Sequence, residues 1–186
     1  MKNIIIIPAR GNSKGIRKKN LIKFCGKPLL YWTLLQAKKS KFSKHVYVST
    51  QSNEIAKLSE SLGAKVIMRP KKLCTDSASS ESAIKHVVSN IKTKVENIIF
   101  LQATSPLRGP NDIDKAFNKF KITKADSLFS AHKAEDFFDV WESNNSSFKP
   151  ITINFKNRKP RQKFKKKHLM QNGSIYIFKK KNIRKT

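Results

Sequence analysis

The chain has 186 residues, with 40 Lys and Arg against 12 Asp and Glu and a formal net charge of +28. This length fits one ordinary domain with a small appendage and excludes two independent domains. No run approaches the roughly 18 consecutive apolar residues of a membrane-spanning helix, and the early run Ile4–Ile7 leads into a polar loop, where a signal peptide would have a cleavage site. We therefore expect a soluble, cytoplasmic protein without membrane association.

The positive charge invites a nucleic-acid-binding interpretation. Such proteins usually concentrate their charge on one stripe or tail, whereas lysine here is spread along almost the whole chain. The spread favours a general compositional bias toward lysine. The densest segment, residues 156–167, is predicted to be either a solvated loop or an anion-facing arm. Nucleic acid is therefore not the expected partner, although a basic nucleic-acid-binding protein remains an alternative.

Short apolar runs alternate with helical patterns along most of the chain. Asn53 is expected to cap the second helix and Gly63 to end it. This alternation predicts parallel strands joined by right-handed crossovers, with helices on both faces of one sheet. In chain order the predicted elements are strand Asn3–Ile7, helix Leu29–Lys39, strand Val46–Thr50, helix Glu54–Leu62, strand Lys65–Met68, helix Ser80–Ser89, strand Asn97–Leu101, helix Asn111–Phe120, strand Ser127–Ala131 and strand Ser174–Phe178.

The alternation fails after about residue 134. Residues 135–168 are polar, basic and aromatic in patches, and the apolar cluster of Phe137, Phe138 and Trp141 slightly favours a subdomain that packs on a partner chain over a flexible excursion. The predicted organisation is therefore a nucleotide-binding α/β core at 1–134, a dimerisation arm at 135–168, and a return to the core at 169–186.

A glycine-containing basic loop, PARGNSKGIRKKN at residues 8–20, directly follows the first predicted strand. In open α/β sheets ligands bind at the carboxyl ends of strands. Glycines let backbone N–H groups approach phosphate oxygens, and Arg10, Lys14 and Lys19 can offset the charge of a triphosphate. The loop matches neither GxxxxGK[ST] nor GxGxxG, so neither a P-loop NTPase nor a dehydrogenase is indicated.

This loop and the motifs that follow it in order resemble those of the N-acylneuraminate cytidylyltransferases, the family that makes CMP-sialic acid and its bacterial relatives. The related Kdo cytidylyltransferases share the opening Pro-Ala-Arg, but their loop differs from SKGIRKKN. The resemblance covers nearly the whole chain. The further motifs are FCGKPL (24–29), VST (48–50), RP (69–70), DSASS (76–80), LQATSPLR (101–108), RQ (161–162) and NGSIYI (172–177).

The resemblance implies transfer of CMP from CTP to the anomeric hydroxyl of a nonulosonic acid, N-acetylneuraminate or a relative. It also implies a Rossmann-like three-layer nucleotidyltransferase fold with a mostly parallel sheet and a small dimerisation insertion. Arg10 and Lys19 would be the catalytic residues. The implied CTP contacts are Arg10, Ser13, Lys14, Asn20, Arg69 and Ser80. The residues expected to contact the sugar are Gln102, Thr104, Ser105, Arg108, Arg161 and Gln162.

Two roles stay open for Arg108, which could meet the sugar carboxylate or anchor its own loop. Arg161 and Gln162 match a pair that, in relatives, belongs to the dimer contact and reaches the neighbouring site, so the resemblance also implies a homodimer.

Mg²⁺ is the cofactor that the resemblance implies. In relatives two aspartates beyond the NGSIYI strand hold it, whereas residues 179–186 contain no carboxylate. No metal ligand is therefore assigned, with Asp76 as a possible helper. A truncated CTP-binding homologue with little or no activity is the other alternative.

Overall fold

A computed structural model describes residues 2–12, 15–75, 78–133, 141–144, 147–151, 157 and 169–183. Most of its strands form one six-stranded sheet with helices on both faces. The helices are α1 (Leu29–Lys39), α2 (Asn53–Ser61), α3 (Ser80–Asn90) and α4 (Asp112–Ile122). The strands are β1 (Lys2–Pro8), β2 (Lys23–Phe24), β3 (Lys27–Pro28), β4 (Val46–Thr50), β5 (Lys65–Met68), β6 (Val95–Leu101), β7 (Ser127–Lys133), β8 (Trp141–Asn144), β9 (Ser147–Pro150) and β10 (Leu169–Lys179).

The order of the sheet is β5-β4-β1-β6-β10-β7. The pairs β1–β4, β4–β5 and β1–β6 are parallel, whereas β10 runs antiparallel to β6. In chain order, β4 and β5 are therefore added on one side of β1, and β6 is then added on its other side. Such a reversal leaves a crevice outside the carboxyl ends of the two strands, where ligands bind in open α/β sheets.

The core has two layers because alternate residues of a strand point to opposite faces of the sheet. Ile5 and Ile7 pack with side chains from α1, α2 and α4, while Ile4 and Ile6 pack with side chains from α3. All four isoleucines are fully buried, and each contributes about 1.5–3 kcal/mol of hydrophobic stabilisation. The predicted α/β architecture, with helices on both faces of a mostly parallel sheet, is confirmed.

Several predicted details are corrected by the structure. Ser52, and not Asn53, caps α2, since its Oγ accepts a hydrogen bond from Ile55 N at 3.4 Å. Gly63 does end this helix, in the left-handed conformation with φ of 74°. Strand β10 begins at Leu169, five residues before the predicted start at Ser174. The hairpins β2–β3 and β8–β9 were not predicted, because strands of two and four residues carry too little periodicity.

The chain forms two compact units. The first comprises Met1–Ser130 and Gly173–Thr186, and the second is Ala131–Asn172. The second contains the antiparallel hairpin β8–β9. The predicted boundaries, at 134 and 168, lie four residues from these on either side, and the assignment of this segment to dimerisation stays a prediction. Within the described residues no helix is both long and apolar enough to cross a membrane.

Candidate active site

A cleft of about 310 Å³ lies at the carboxyl ends of β1, β5 and β6 within the first unit. It occupies the crevice that the strand order leaves beside β1. The structure brings together here seven residues that the sequence predicted for the site: Arg10, Lys19, Asn20, Arg69, Ser80, Gln102 and Thr104.

Asn20 fixes the loop after β1 and presents an unsatisfied acceptor. Its side chain is 6% exposed, and its Nδ2 donates a hydrogen bond to the carbonyl of Arg10 at 2.8 Å. Its Oδ1 is buried, and none of the described residues donates to it. A buried acceptor without a partner is costly. A ligand hydroxyl or amine that donates to this oxygen would remove that cost.

Arg69 is a buried cation without a carboxylate partner among the described residues. Its Nε and Nη2 donate to the Oγ and the carbonyl of Ser49, at 3.1 and 2.9 Å. Nη1 has no hydrogen-bond partner in the described part of the chain, although the residue is only 6% exposed. The pKa of Arg69 is lowered, and burial is the largest cause. Cys74 opposes this shift, whereas the positive charge of Arg10 adds to it. An anion or a ligand carbonyl would relieve both the burial cost and the repulsion.

The N-terminus of α3 forms one wall of the cleft. Ser79 caps the helix by accepting a hydrogen bond from Ser82 N at 3.1 Å, and Ser80 and Ala83 face the cleft behind it. The first N–H groups of a helix carry a partial positive charge. None of the described residues that line the cleft is acidic, so helix and cations together favour a polyanionic ligand.

The loop after β6 supplies Gln102 and Thr104 to the cleft. Gly173 makes room for Gln102, since a Cβ built on this glycine would lie 3.0 Å from Gln102 Oε1. Ser105, also predicted to contact the sugar, does not line the cleft, and its hydroxyl donates to the carbonyl of Gly173 at 3.4 Å.

Arg108 is buried behind this loop and does not line the cleft. Its guanidinium makes six hydrogen bonds, which engage all of its nitrogens. Burial lowers the pKa of Arg108 to about 10, against a smaller opposing effect of Asp112, so the group stays charged at neutral pH. Of the two roles left open, this geometry matches the loop anchor and leaves no donor for a sugar carboxylate. The acceptors are Thr33 Oγ1, Gln36 Oε1 and the carbonyls of Gln102, Ser105 and Ser174.

A family model described as Cytidylyltransferase matches residues 4–185. The chain belongs to the cytidylyltransferase family. It is 42% identical over 120 residues to the N-acylneuraminate cytidylyltransferase of Escherichia coli O18:K1:H7, a match that covers 64% of this chain and 28% of that protein. It is 36% identical over 180 residues to N-acylneuraminate cytidylyltransferase A of Danio rerio, which covers 96% of this chain and 41% of the relative. The family resemblance inferred from the motifs is therefore confirmed.

For two further cytidylyltransferases, the match to this chain covers a larger share of the relative's own length. A pseudaminic acid cytidylyltransferase of Campylobacter jejuni (strain 81-176) is 35% identical over 139 residues, 73% of this chain and 60% of that protein. Among solved structures, a CMP:2-keto-3-deoxy-manno-octonic acid synthetase complexed with CTP has a TM-score of 0.74 at 22% identity and covers 98% of this chain and 76% of its own. At that identity the likeness shows the fold alone, and it confirms the predicted nucleotidyltransferase fold.

Cytidylyltransferases are nucleotidyltransferases, which generally depend on a divalent metal. Among the described residues there is no group of three or more His, Cys, Asp or Glu that could hold a metal ion. Asp76, the possible helper, lies outside the described residues, as do four predicted ligand contacts: Ser13, Lys14, Arg161 and Gln162. Those assignments stay predictions.

Sequence analysis missed the residues that hold the two buried arginines. Ser49 was noted only as part of the VST motif, and its contact with Arg69 joins residues 20 positions apart. Thr33 and Gln36 lie in the predicted helix Leu29–Lys39, but neither was assigned a role. A hydroxyl on a buried helical face needs a partner, so Thr33 was the available signal, although nothing local identified Arg108, 75 residues away.

Proposed function

We propose that the chain transfers CMP from CTP to the anomeric hydroxyl of a nonulosonic acid, giving the CMP-sugar and pyrophosphate. The observation that carries this proposal is the cleft at the switch point of the sheet, where Arg10, Lys19 and Arg69 meet without an acidic residue among the described lining. The sequence similarity to N-acylneuraminate and pseudaminic acid cytidylyltransferases supports the choice of nucleotide and sugar.

In this reaction the anomeric oxygen attacks the α-phosphorus of CTP, a new C–O–P linkage forms, and the bond to the departing pyrophosphate breaks. Negative charge builds on the equatorial oxygens and on the leaving group. Arg10 and Lys19 would stabilise that charge from fixed positions. Asn20 Oδ1, which lacks a described donor, would accept a hydrogen bond from the nucleotide. The sugar hydroxyl loses its proton as the C–O–P linkage forms.

The sugar would lie against Gln102 and Thr104, since an amide and a hydroxyl suit sugar hydroxyls and an N-acyl group. The candidate sugars are N-acetylneuraminate, legionaminate and pseudaminate. Mg²⁺ belongs to the proposal as the companion of CTP, without assigned protein ligands. A cytoplasmic location is also part of the proposal.

A homodimer is a further part of the proposal. The described hairpin of the second unit exposes Trp141 and Phe148 at 46% and 73%, and Ile151 follows it at 60% exposure. Exposed apolar side chains that lie close together favour contact with another protein surface. Sedimentation equilibrium should give twice the 21.3 kDa mass of the chain, and a monomer at micromolar concentration would contradict this part alone.

The deciding experiment is pyrophosphate release by the purified chain with CTP, Mg²⁺ and, in turn, N-acetylneuraminate, legionaminate, pseudaminate and Kdo. Release that depends on one of the first three sugars is expected and would identify the substrate. CTP binding without release would favour the truncated, inactive homologue. Salt-dependent binding to DNA or RNA that exceeds CTP binding would favour the basic nucleic-acid-binding alternative.

Gln102→Ala tests the placement of the sugar. Loss of a hydrogen bond to a neutral partner should raise the KM for the sugar by about three- to tenfold, with the KM for CTP unchanged as the internal control. An equal rise in both KM values would show that Gln102 does not lie in the sugar pocket.

A further inference from the structure

Two side chains of α1 direct all their described hydrogen bonds at the loop that carries Gln102 and Thr104. Thr33 is fully buried, and its Oγ1 donates to the carbonyl of Ala103 at 3.4 Å while accepting from Arg108 Nη1 at 3.0 Å. Gln36, one turn later, donates from Nε2 to the carbonyls of Pro106 and Arg108, at 2.7 and 3.1 Å. Its Oε1 accepts from Arg108 Nη1 at 3.3 Å.

Arg108 completes the attachment from behind the loop. Its Nη2 donates to the carbonyl of Gln102 at 2.8 Å, and its Nη1 donates to that of Ser105 at 2.7 Å. Nη2 also reaches the carbonyl of Ser174 in β10 at 2.7 Å. One guanidinium therefore ties the loop to the strand beside it and to α1.

The backbone around the two cleft-facing side chains is consequently fixed on both sides. Four carbonyls of this loop, at residues 102, 103, 105 and 106, accept hydrogen bonds from Arg108, Thr33 or Gln36. A misplacement of about 1 Å in a substrate-positioning group can cost roughly a hundredfold in rate. Positioning from a rigid helix is the arrangement that avoids such a loss.

We propose that Thr33 and Gln36 are positioning residues which, both directly and through Arg108, hold Gln102 and Thr104 in place for the sugar. The proposal rests on the proposed function, since it assigns the sugar to this loop. Arg108 then acts on the substrate only through the loop, and its charge serves to bind carbonyl oxygens.

The test compares two variants that remove side-chain hydrogen bonds, Thr33→Val and Gln36→Leu, with a matched control. Ser59→Ala removes a hydroxyl that is equally buried, in α2, and that donates only to the carbonyl of Ile55 in its own helix. Steady-state kinetics with the sugar identified above, together with thermal unfolding, are measured for all three variants.

Thr33→Val and Gln36→Leu should each raise the KM for the sugar by about three- to tenfold, the range expected for loss of the Gln102 contact that they hold in place. The KM for CTP should stay within about twofold of the wild-type value, and Ser59→Ala should change neither. A purely structural role would lower the melting temperature without changing the ratio of the two KM values. That result, or an equal rise in both, would overturn the proposal.

Hydrogen exchange separates this proposal from the proposed function. If the wild-type chain turns over no sugar, the proposed function fails, but the amides of residues 102–105, 107 and 108 still report on the attachment. They should exchange at least about tenfold faster in Thr33→Val than in Ser59→Ala, relative to the global exchange rate of each variant. Equal exchange in the two variants would show that α1 does not hold the loop.

Discussion

Two buried arginines of this chain differ in how many of their guanidinium nitrogens hydrogen bond to the protein. Arg69 and Arg108 are 6% and 7% exposed, and neither has an acid within hydrogen-bond distance among the described residues. Among the described residues the guanidinium of Arg69 donates only to Ser49, which leaves Nη1 without a described partner, and Arg69 lines the cleft. Arg108 uses every nitrogen on protein acceptors and lies outside the cleft lining.

The comparison shows that burial alone does not identify a ligand-binding arginine. A buried guanidinium must have its charge and its five donors satisfied. Where the protein supplies the acceptors, as around Arg108, the residue stabilises its loop. Where the described residues supply only some of them, as around Arg69, the remaining donor is available to a ligand.

Replacing Arg108 should produce the largest loss of stability. Arg108→Met leaves several buried acceptors without donors, so the free energy of unfolding should fall by about 3–5 kcal/mol, as measured by urea denaturation. Arg69→Met removes the described bonds to Ser49 and relieves repulsion by Arg10, so the free energy of unfolding should fall by only about 1 kcal/mol. Equal losses would remove the distinction between the two arginines.

Replacing Arg69 should have the larger effect on nucleotide binding. Loss of a charge-assisted contact should weaken CTP binding by about 10- to 100-fold in calorimetry. Lys121→Met is the matched control, because Lys121 is exposed in α4, does not line the cleft, and its loss changes the net charge equally. If both variants weakened binding alike, the effect would be long-range electrostatics, and Arg69 would have no direct role.

Sequence reasoning predicted the sheet, its four helices and the position of the cleft, because these depend on local periodicity and on the loop after β1. It could not distinguish the two arginines. Arg69 precedes a proline at a strand end and Arg108 ends a loop motif, but their partners lie 20 and up to 75 residues away. Only the packing of α1 and β10 against the loop determines how many donors Arg108 has left, and no local pattern encodes that packing.

Ser49→Ala should weaken CTP binding less than Arg69→Met. It removes one of the two groups that orient the guanidinium of Arg69 and keeps the carbonyl that accepts from Nη2. We expect a loss of about three- to tenfold, again by calorimetry. Ser59→Ala deletes an equally buried hydroxyl that does not line the cleft, and this variant should bind CTP normally. Unchanged binding by Ser49→Ala would mean that the carbonyl alone orients Arg69.

The smallest predicted effect concerns His86 in α3. Burial lowers its pKa most and the positive charge of Arg69 lowers it further, and no described residue pairs with its buried Nδ1. Because the folded-state pKa lies below the unfolded value of 6.5, the neutral ring stabilises the fold above that pH, and this contribution is lost as the pH falls through the folded-state pKa.

Arg69→Met should therefore raise the pKa of His86, but not to 6.5, since the burial remains. Arg108→Met should leave it unchanged, because Arg108 is not among the causes of the shift. An NMR titration that resolves His86 from His45, whose pKa is also lowered, mainly by burial, would measure both variants. A His86 pKa that does not respond to Arg69→Met would show that the charge of Arg69 is screened at this distance. In that case Arg69 would contribute to CTP binding more through the geometry of its hydrogen bonds than through its positive charge.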